Sequence, residues 1–375
     1  MTRITILGAG FGALTTLREL RRRKVDADIT IIAPQDQMHY LPSSIWIPAH
    51  LRRADELRIP LAHFFAKHRA DFMRASVTGL GEGGRVVHTD SGDVPNDHLV
   101  IATGGRFIRK LPGIENALVP CEGLAVAEEI ERRLSKMDGG SIAIGFATNP
   151  NEQGSMRGGP MFEYLFIIDS LLRKSGRRAR FDITFFSPAP RPGARLGERA
   201  VDGLLAEMKS RDIKTHLGNK MVRFEPGKVV TEGGEIKADL ILFMPGLTGP
   251  AWLEKSGLPL SPGGMVVGDA QCRVKDHQNV WVVGDSGSFP GPDWMAKQAH
   301  QADLQAAAAA ANIDAILSRR EPTSAFKAEL ICIVDMLDAG VLVYRSEKFN
   351  FVSPKLRVFH WLKGLFEGYY LRHFR

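Results

Sequence analysis

The sequence has few cysteines and no long run of apolar residues. Its three cysteines, Cys121, Cys272 and Cys332, are far apart in a chain of 375 residues. Their number and spacing match neither a zinc site nor the disulfide framework of a small secreted protein, so we expect no bound metal. No apolar run reaches the ~20 residues that span a bilayer. Because an apolar strand starts at residue 3, we also expect no signal peptide and a cytoplasmic protein.

The chain carries more positive than negative charge. Its formal net charge is +7 and its isoelectric point is about 9.3. Such a surplus suits nucleic acid, an acidic protein or an anionic membrane as a partner. The basic residues are not interleaved with a recognisable nucleic-acid-binding module, so we expect no nucleic acid. The length and a hydrophobic content of 44% predict two or three domains with filled cores.

A glycine-rich turn near the start of the chain has the pattern of a phosphate site. Residues 3–7 predict a strand and residues 13–22 predict an amphipathic helix. The turn between them holds small residues, namely Gly8, Gly10, Gly12 and Ala13. Gly8 permits the tight turn, Gly10 lets the backbone approach a phosphate, and Ala13 lets the helix pack on the strand. The helix N-terminus adds N–H donors, so we expect a bound dinucleotide; a turn without a ligand is the alternative.

The second predicted strand lacks the acidic residue that often follows it in dinucleotide folds. That acid bonds the ribose hydroxyls at the end of the strand. Here the strand over residues 28–32 runs into Ala33 and Pro34, and the nearest acid is Asp36. We expect either that Asp36 reaches back to the ribose or that a backbone group takes this role.

Two later segments follow apolar strands and complete a recognisable order. They are Ala102-Thr103-Gly104 and Gly284-Asp285. With the glycine turn, they resemble the flavoproteins of the glutathione-reductase type. The resemblance implies an α/β fold with two Rossmann-like dinucleotide-binding domains and FAD bound in an extended form. It implies that Asp285 bonds the ribityl chain, and a helix cap or turn residue is the alternative role.

The order of these three segments predicts how the chain is divided into domains. Residues 1–105 and 238–320 form the two parts of an FAD-binding domain, and residues 106–237 form a second Rossmann-like domain inserted between them. Residues 321–375 form a C-terminal module associated with the membrane and quinone.

Four stretches narrow the resemblance to sulfide:quinone oxidoreductases and flavocytochrome c sulfide dehydrogenases. Residues 41–47 resemble that family's Thr-Pro-Ser-Asn-Pro-Trp segment and make Ser43 an expected FAD contact. Residues 158–164 resemble its Gly-Pro-Ala-Tyr-Glu-Phe helix start. Residues 296–301 resemble its Pro-Lys helix and are similar to the quinone-site helix of type II NADH dehydrogenases. Residues 331–340 are similar to its Cys-x-x-Asp-Met-Gly-Asp-x-Gly segment.

The second Rossmann-like unit lacks a phosphate-binding glycine loop. After its first strand the chain reads Gly-Phe-Ala-Thr-Asn-Pro-Asn over residues 145–151. The second and third small residues are missing, and Pro150 has no N–H to donate to a phosphate. The electron donor is therefore not expected to be a nicotinamide.

The cysteine pattern departs from the family. Two cysteines hold sulfur in the family, and the sequence has Arg157 at one expected position and no cysteine within residues 291–295 at the other. Only Cys121 matches the third family cysteine, and we expect it to be either catalytic or a small buried hydrophobe. Arg157 is expected to bind an anion or stabilise reduced flavin. Cys332 is assigned to an apolar helix and Cys272 to a turn, both as packing residues.

Lys297 and Glu163 are further candidates. Lys297, at the predicted start of a helix, is expected to hydrogen-bond a flavin or quinone oxygen, with a solvated lysine as the alternative. Glu163 is predicted to be an acid in the first turn of a helix, with a proton relay as the alternative. His300 and Gln301 suit a quinone site or packing equally.

The last residues predict a basic amphipathic helix. Residues 355–375 space apolar and aromatic side chains helically, and cations such as Lys355, Lys363, Arg372 and Arg375 flank them. Such a helix suits the plane of a bilayer, and a domain-capping or dimer-forming helix is the alternative. We expect a peripheral protein on the cytoplasmic side of the cell membrane.

These features together predict an FAD-dependent oxidoreductase. The resemblance implies that it passes two electrons from sulfide or a related small sulfur reductant to a membrane quinone. One alternative is an enzyme like type II NADH:quinone oxidoreductase. Another is a flavin electron-transfer subunit that docks a redox partner protein through its basic surface. A homo-oligomer is compatible with each of these possibilities.

Overall fold

The structure is a computed structural model that describes residues 1–374, and Arg375 with its predicted cationic contact lies outside them. The elements of residues 1–105 are β1 (Thr2–Leu7), α1 (Phe11–Arg22), β2 (Ala27–Ala33), β3 (Gln37–His39), β4 (Arg58–Pro60), α2 (Ala62–Lys67), β5 (Ala70–Arg74), β6 (Val77–Gly81), β7 (Val86–Thr89), β8 (Gly92–Pro95) and β9 (His98–Ile101). The next elements are β10 (Arg106–Phe107), α3 (Leu124–Lys136), β11 (Gly140–Phe146), α4 (Gly159–Lys174), β12 (Phe181–Ser187), α5 (Glu198–Ser210), β13 (Lys214–Leu217), β14 (Met221–Glu225), β15 (Lys228–Thr231) and β16 (Gly234–Lys237).

The remaining elements complete the second sheet, bring the chain back to the first sheet and then add a C-terminal module. They begin with β17 (Leu240–Met244), β18 (Leu247–Thr248), β19 (Val266–Val267), β20 (Val280–Val282), β21 (Gly287–Ser288) and α6 (Ala299–Leu317). The C-terminal elements are β22 (Glu329–Asp335), β23 (Gly340–Ser346), β24 (Asn350–Val352) and α7 (Arg357–Leu371).

Two parallel sheets form the centre of the molecule. The first has the strand order β20-β9-β1-β2-β5 and the second has the order β13-β12-β11-β17. All their pairings are parallel, and their central strands are buried apolar runs, as expected for sheets covered on both faces. The α/β fold with two Rossmann-like units is therefore confirmed. The chain leaves the first sheet after β9 and returns to it at β20. Strand β17, which the sequence scheme assigned to the returning part at residues 238–320, pairs instead with β11 in the second sheet.

Gly8 shows why the first turn requires glycine. Its φ is +106°, a conformation that L side chains rarely adopt. A Cβ atom placed on it would lie 2.4 Å from the carbonyl oxygen of Ala102. The turn after β1 therefore packs directly against the end of β9, and no larger residue fits there.

The C-terminal module differs from the sequence prediction at Cys332. The predicted apolar helix is the strand β22, which pairs antiparallel with β23, and β23 pairs with β24. The prediction was wrong because a short apolar run does not distinguish a buried helix from a strand, while the β-branched residues Ile331, Ile333 and Val334 favour a strand. The amphipathic helix α7 is present over Arg357–Leu371. No helix among residues 1–374 is long and apolar enough to cross a membrane.

Two helix starts also differ from the predictions. Helix α1 begins at Phe11, before the expected Ala13, because Gly10 already serves as the N-cap. Helix α6 begins at Ala299, three residues after the expected start. Lys297 therefore precedes this helix and does not belong to its first turn.

Candidate active site

One large cavity opens where the strands of both Rossmann-like units end. Its volume is about 2250 Å³, well above the ~300–1,000 Å³ of a pocket for a drug-sized ligand. Most of the residues predicted to hold the cofactor line it, namely Gly8, Gly10, Gly12, Ser43, Ala102, Thr103, Gly104, Gly284, Asp285 and Lys297. Residues far apart in the sequence therefore meet around one space.

The turn after β1 has the features that a phosphate requires. A Cβ atom on Gly10 would meet no atom within 4 Å, so the backbone faces open space there. Gly10 is the N-cap of α1, and no side chain caps this helix end. The N–H groups of the first turn therefore remain available to an anion, and the helix dipole favours negative charge at the same place.

Two predicted cofactor residues do not line the cavity. Ala13 is buried between helix and sheet, which is the packing role expected of it. The carboxylate of Asp36 pairs with Arg74 at 2.8 Å and is half exposed. Gln35 and Gln37, on either side of Asp36, line the cavity in its place. Of the two expectations for the ribose contact, this arrangement favours a group other than the Asp36 carboxylate.

Arg157, Asp285 and Lys297 form a charged cluster on the cavity wall. Arg157 donates two hydrogen bonds to one carboxylate oxygen of Asp285, one of them at 3.1 Å. Lys297 donates to the backbone carbonyl of Gly287 at 2.6 Å and to that of Asp285 at 3.5 Å. Burial raises the pKa of Asp285, but the charges of Arg157 and Lys297 outweigh it and hold this pKa below the usual value. Burial lowers the pKa of Lys297.

Two cysteine thiols also line the cavity. Cys121 is buried, and burial raises the pKa of its thiol to about 11 although the charge of Arg157 opposes the shift. Cys332 lies on β22, and burial raises the pKa of its thiol to about 12. The sequence interpretation treated Cys332 as packing and missed it. The only available signal was its place in the Cys-x-x-Asp-Met stretch that resembles the family.

The sulfur of Cys332 lies against the start of α4. A Cβ atom on Gly159, the first residue of this helix, would be 3.9 Å from the sulfur. No side chain caps this helix end either. Helix N-termini stabilise thiolates through their free N–H groups. Pro160 has no N–H, and the N–H of Met161 is bonded to the carbonyl of Gly158 at 3.1 Å, so burial dominates the pKa of Cys332.

Glu163 is buried and joined to the C-terminal helix. It forms an ion pair with Lys363 of α7 and accepts the backbone N–H of Asp335 at 3.0 Å. Burial raises the pKa of Glu163, and the charge of Lys363 opposes this shift. The prediction of a first-turn acid was wrong because α4 begins at Gly159 and no acid lies in its first turn. The second turn of α4 faces the core at this position.

Asp335 makes a second link between the same elements. Its carboxylate accepts the indole N–H of Trp46 at 2.6 Å and contacts the imidazole of His360 on α7 at 3.0 Å. The carboxylate is fully buried, and its partners hold its pKa below the usual value despite that burial. Helix α7 is therefore held to the cavity by two buried polar contacts.

His300 and Gln301 have partners within the protein. His300 lines the cavity, and its Nε2 atom lies 2.9 Å from a carboxylate oxygen of Glu329. Gln301 accepts the backbone N–H of Glu329 at 3.0 Å and donates to the carbonyl of Lys327 at 3.1 Å. Gln301 thus connects α6 to the segment that enters β22.

The loop after β11 is folded against the neighbouring chain. The side chain of Asn149 donates to the carbonyls of Leu247 and Gly263 at 2.8 and 3.0 Å. A Cβ atom on Gly246 would lie 2.2 Å from the backbone nitrogen of Asn149. Helix α4 begins only after the long loop 147–158. The short strand-to-helix turn that holds a dinucleotide phosphate in Rossmann units is absent at this place among the described residues.

The outer face of α7 and the adjacent hairpin expose large apolar side chains. On α7, Trp361, Leu365 and Tyr369 are 67%, 69% and 62% exposed. Phe349, in the turn between β23 and β24, and Phe351, on β24, are also exposed. Singly exposed apolar residues are common, but a contiguous group marks a partner or membrane surface.

Comparison with known proteins agrees with this architecture. The family model "Pyridine nucleotide-disulphide oxidoreductase" matches residues 2–310. A sulfide-quinone reductase of Aquifex aeolicus is 24% identical, over 98% of this chain and 90% of that protein. A type II NADH:quinone oxidoreductase of Staphylococcus aureus is also 24% identical, over 76% of this chain and 75% of that protein.

Solved structures show the same fold. The sulfide:quinone oxidoreductase of Aquifex aeolicus superposes with a TM-score of 0.90 at 22% identity, covering 100% of this chain and 92% of that one. Putidaredoxin reductase, in its covalent complex with putidaredoxin, has a TM-score of 0.71 at 20% identity, over 92% and 82% of the two chains. The predicted similarity to sulfide:quinone oxidoreductases is confirmed. The chain belongs to the pyridine nucleotide-disulphide oxidoreductase family and is an oxidoreductase.

Proposed function

We propose that this chain is an FAD-dependent enzyme that takes electrons from sulfide and delivers them to a membrane quinone. The observation that carries the proposal is that one cavity is lined by a phosphate-binding turn, two cysteine thiols and the inner face of α7. The Aquifex relative named a sulfide-quinone reductase supports the same donor and acceptor.

The residues on the cavity wall fit FAD. The turn at Gly8 and Gly10 would hold the pyrophosphate, and Gly104, with nothing within 4 Å of a Cβ position, leaves room for the cofactor at the end of β9. Asp285 would bond the ribityl chain, and Arg157 keeps this carboxylate charged. When bound, FAD supplies the reversible acceptance and release of two electrons. Lys297 supplies a positive charge that would stabilise a negatively charged reduced ring.

The thiols support a sulfur compound as the electron donor. Cysteine is the side chain that holds oxidised sulfur, because its sulfur attacks and is attacked by sulfur. Burial opposes ionisation of both thiols. The charge of Arg157 favours ionisation of Cys121, and the sulfur of Cys332 lies against the start of α4. Arg157 occupies one expected cysteine position, so the proposed chemistry uses Cys121 and Cys332.

The quinone would enter the cavity beside α7. The α7 residues Leu362, Lys363 and Phe366 line the cavity, while the outer face of this helix is apolar and exposed. A helix with this distribution lies in the plane of a bilayer interface, where a quinone dissolved in lipid can reach the cavity. We therefore propose a peripheral location on the cytoplasmic side of the membrane.

The proposed activity is tested by assaying the purified protein with FAD and a short-chain soluble quinone. Sulfide should support quinone reduction, and NADH should not, because the loop after β11 offers no phosphate turn. The similarity to a type II NADH:quinone oxidoreductase makes NADH the necessary comparison. Reduction by NADH but not by sulfide would contradict the proposal.

Introducing a negative charge on the outer face of α7 should release the protein from membranes. Trp361→Asp and Leu365→Asp place a carboxylate at positions 67% and 69% exposed, so folding should be unaffected. Co-sedimentation with vesicles of phosphatidylcholine and phosphatidylglycerol should fall by about tenfold or more. These variants are preferable to truncation at residue 355, which would also remove Tyr370, Leu371 and Phe374 from the core.

Val222→Asp is the matched control for the vesicle experiment. Val222 is an exposed apolar residue, 42% accessible, on β14 of the second Rossmann-like unit. Its variant should still sediment with the vesicles. Equal binding by all three variants would show that α7 is not the membrane contact.

A further inference from the structure

Two arginines on the cavity wall lack an acidic partner. Arg195 donates a hydrogen bond to the backbone carbonyl of Gln153 at 2.8 Å. Arg345, on β23, donates to the backbone carbonyl of Arg195 at 3.0 Å. Within residues 1–374, neither guanidinium forms an ion pair with a carboxylate. Both side chains line the cavity described above.

The surroundings of these arginines add further positive charge. Burial lowers the pKa of Arg195 to about 10, and the charge of Asp293 opposes this shift. The charge of Arg195 in turn contributes to the lowered pKa of Lys297. The other nearby acid, Glu152, accepts a hydrogen bond from the hydroxyl of Ser261. The cations thus outnumber the acids in this part of the cavity.

Neighbouring side chains hold both guanidinium groups in place. The guanidinium carbon of Arg345 lies 5.0 Å from the ring centre of Trp294, which is a cation–π contact. The terminal nitrogen of Arg195 lies over Gly154, 3.5 Å from the position of a Cβ atom on that residue. Both arginines are therefore positioned before any ligand arrives, which reduces the entropy cost of binding.

Most of the hydrogen-bonding capacity of these two groups remains unused. Each guanidinium has several N–H donors in a planar fork, and each gives only one hydrogen bond to the protein. A guanidinium that is partly removed from water is unfavourable without a counter-charge, and burial lowers the pKa of both arginines. An oxyanion offers several acceptors and negative charge at once, and it matches the fork geometry of arginine.

We propose that Arg195 and Arg345 bind a small oxyanion in this cavity. The ligand chemistry is a tetrahedral or pyramidal group of oxygen atoms with one or two negative charges. A free sulfur oxyanion and the phosphate group of a nucleotide share this chemistry. In the β22–β23 ladder, Arg345 pairs with Leu330, two residues from Cys332. The side chains of Arg345 and Cys332 therefore face the same side of the sheet. The proposal of an oxyanion site holds whether sulfide or another compound donates electrons to the enzyme.

Direct binding tests the proposal. Thiosulfate, inorganic phosphate and NADPH are titrated separately into the full-length protein at constant ionic strength, with isothermal calorimetry as the readout. At least one of these ligands should bind saturably, and chloride at equal ionic strength should not. The Arg195→Gln/Arg345→Gln variant should weaken that binding by about tenfold or more.

Arg191→Gln is the matched control for this titration. Arg191 also lines the cavity, but it pairs with Asp202 at 2.6 Å, so its variant should bind as the wild type does. Tighter binding of NADPH than of thiosulfate, lost in the double variant, would support the site and identify a nucleotide phosphate as its ligand. Arg195→Lys/Arg345→Lys keeps the charge and checks that the loss is not caused by misfolding. Saturable binding of none of the three ligands, or equal binding by the double variant, would overturn the proposal.

Discussion

Replacing Cys332 with alanine is expected to slow sulfide oxidation by about 100-fold or more, because removing a nucleophile abolishes the chemistry that depends on it. The thiol lies on the cavity wall against the uncapped start of α4. The substitution removes one sulfur atom from a position that is only partly buried, so the fold should persist. The measurement is the rate of sulfide-dependent quinone reduction, together with the absorbance of bound flavin and the thermal midpoint.

Cys272→Ala is the control for this experiment. Cys272 is fully buried in the first core and does not line the cavity, so its variant should retain the rate even if it loses some stability. Cys121→Ala separates the two candidate thiols. If Cys332→Ala keeps the full rate and Cys121→Ala loses it, the sulfur chemistry belongs to Cys121, and the role assigned to Cys332 is wrong.

Lys363→Met is expected to destabilise the protein by about 3 kcal/mol, because it leaves the carboxylate of Glu163 buried without its counter-charge. The side chains of Lys363 and Glu163 are only 16% and 7% exposed. Chemical denaturation of the two proteins, followed by circular dichroism, measures this change in the free energy of unfolding. The loss should be accompanied by easier release of α7, since the pair connects this helix to α4.

The loss of folding stability caused by Lys363→Met should depend on pH. Burial raises the pKa of Glu163 above its ordinary value near 4.5, and removing Lys363 removes the main opposing charge. Between the unfolded pKa and the raised folded pKa, the folded variant binds more protons than the unfolded chain, so its stability falls as pH rises through that interval. We expect a larger loss at pH 8 than at pH 5.

Lys214→Met is the control for the charge change itself. Lys214 pairs with Asp182, but both side chains are largely exposed, at 65% and 70%. Water screens this pair, and its loss should leave the thermal midpoint unchanged. Equal destabilisation by Lys214→Met and Lys363→Met, or no pH dependence for Lys363→Met, would contradict the buried-pair account.

Local patterns explain why the phosphate turn could be predicted from the sequence. Gly8 and Gly10 are adjacent to the strand and helix that they join, so their role depends on residues close in the chain. The parallel sheets follow likewise from apolar runs separated by helices. Arg157 and Lys297 were also predicted as site residues, and the structure brings both to Asp285.

Contacts between distant segments could not be predicted in the same way. Glu163 and Lys363 are 200 residues apart, and Trp46 and Asp335 are 289 apart. Only the packing of α7 and β22 against α4 brings them together. The two arginines of the proposed oxyanion site, Arg195 and Arg345, likewise lie in different domains of the predicted scheme. They are joined by a hydrogen bond from the guanidinium of Arg345 to the backbone carbonyl of Arg195.

The most direct test of the proposed function is anaerobic reduction of the flavin absorbance band in a stopped-flow instrument. Sulfide and NADH are mixed separately with the purified protein carrying FAD. The account predicts fast bleaching by sulfide and none by NADH, because thiols line the cavity and the loop after β11 holds no phosphate turn. Bleaching by NADH alone would contradict this account. Bleaching by neither compound would contradict it too and would indicate a protein electron donor.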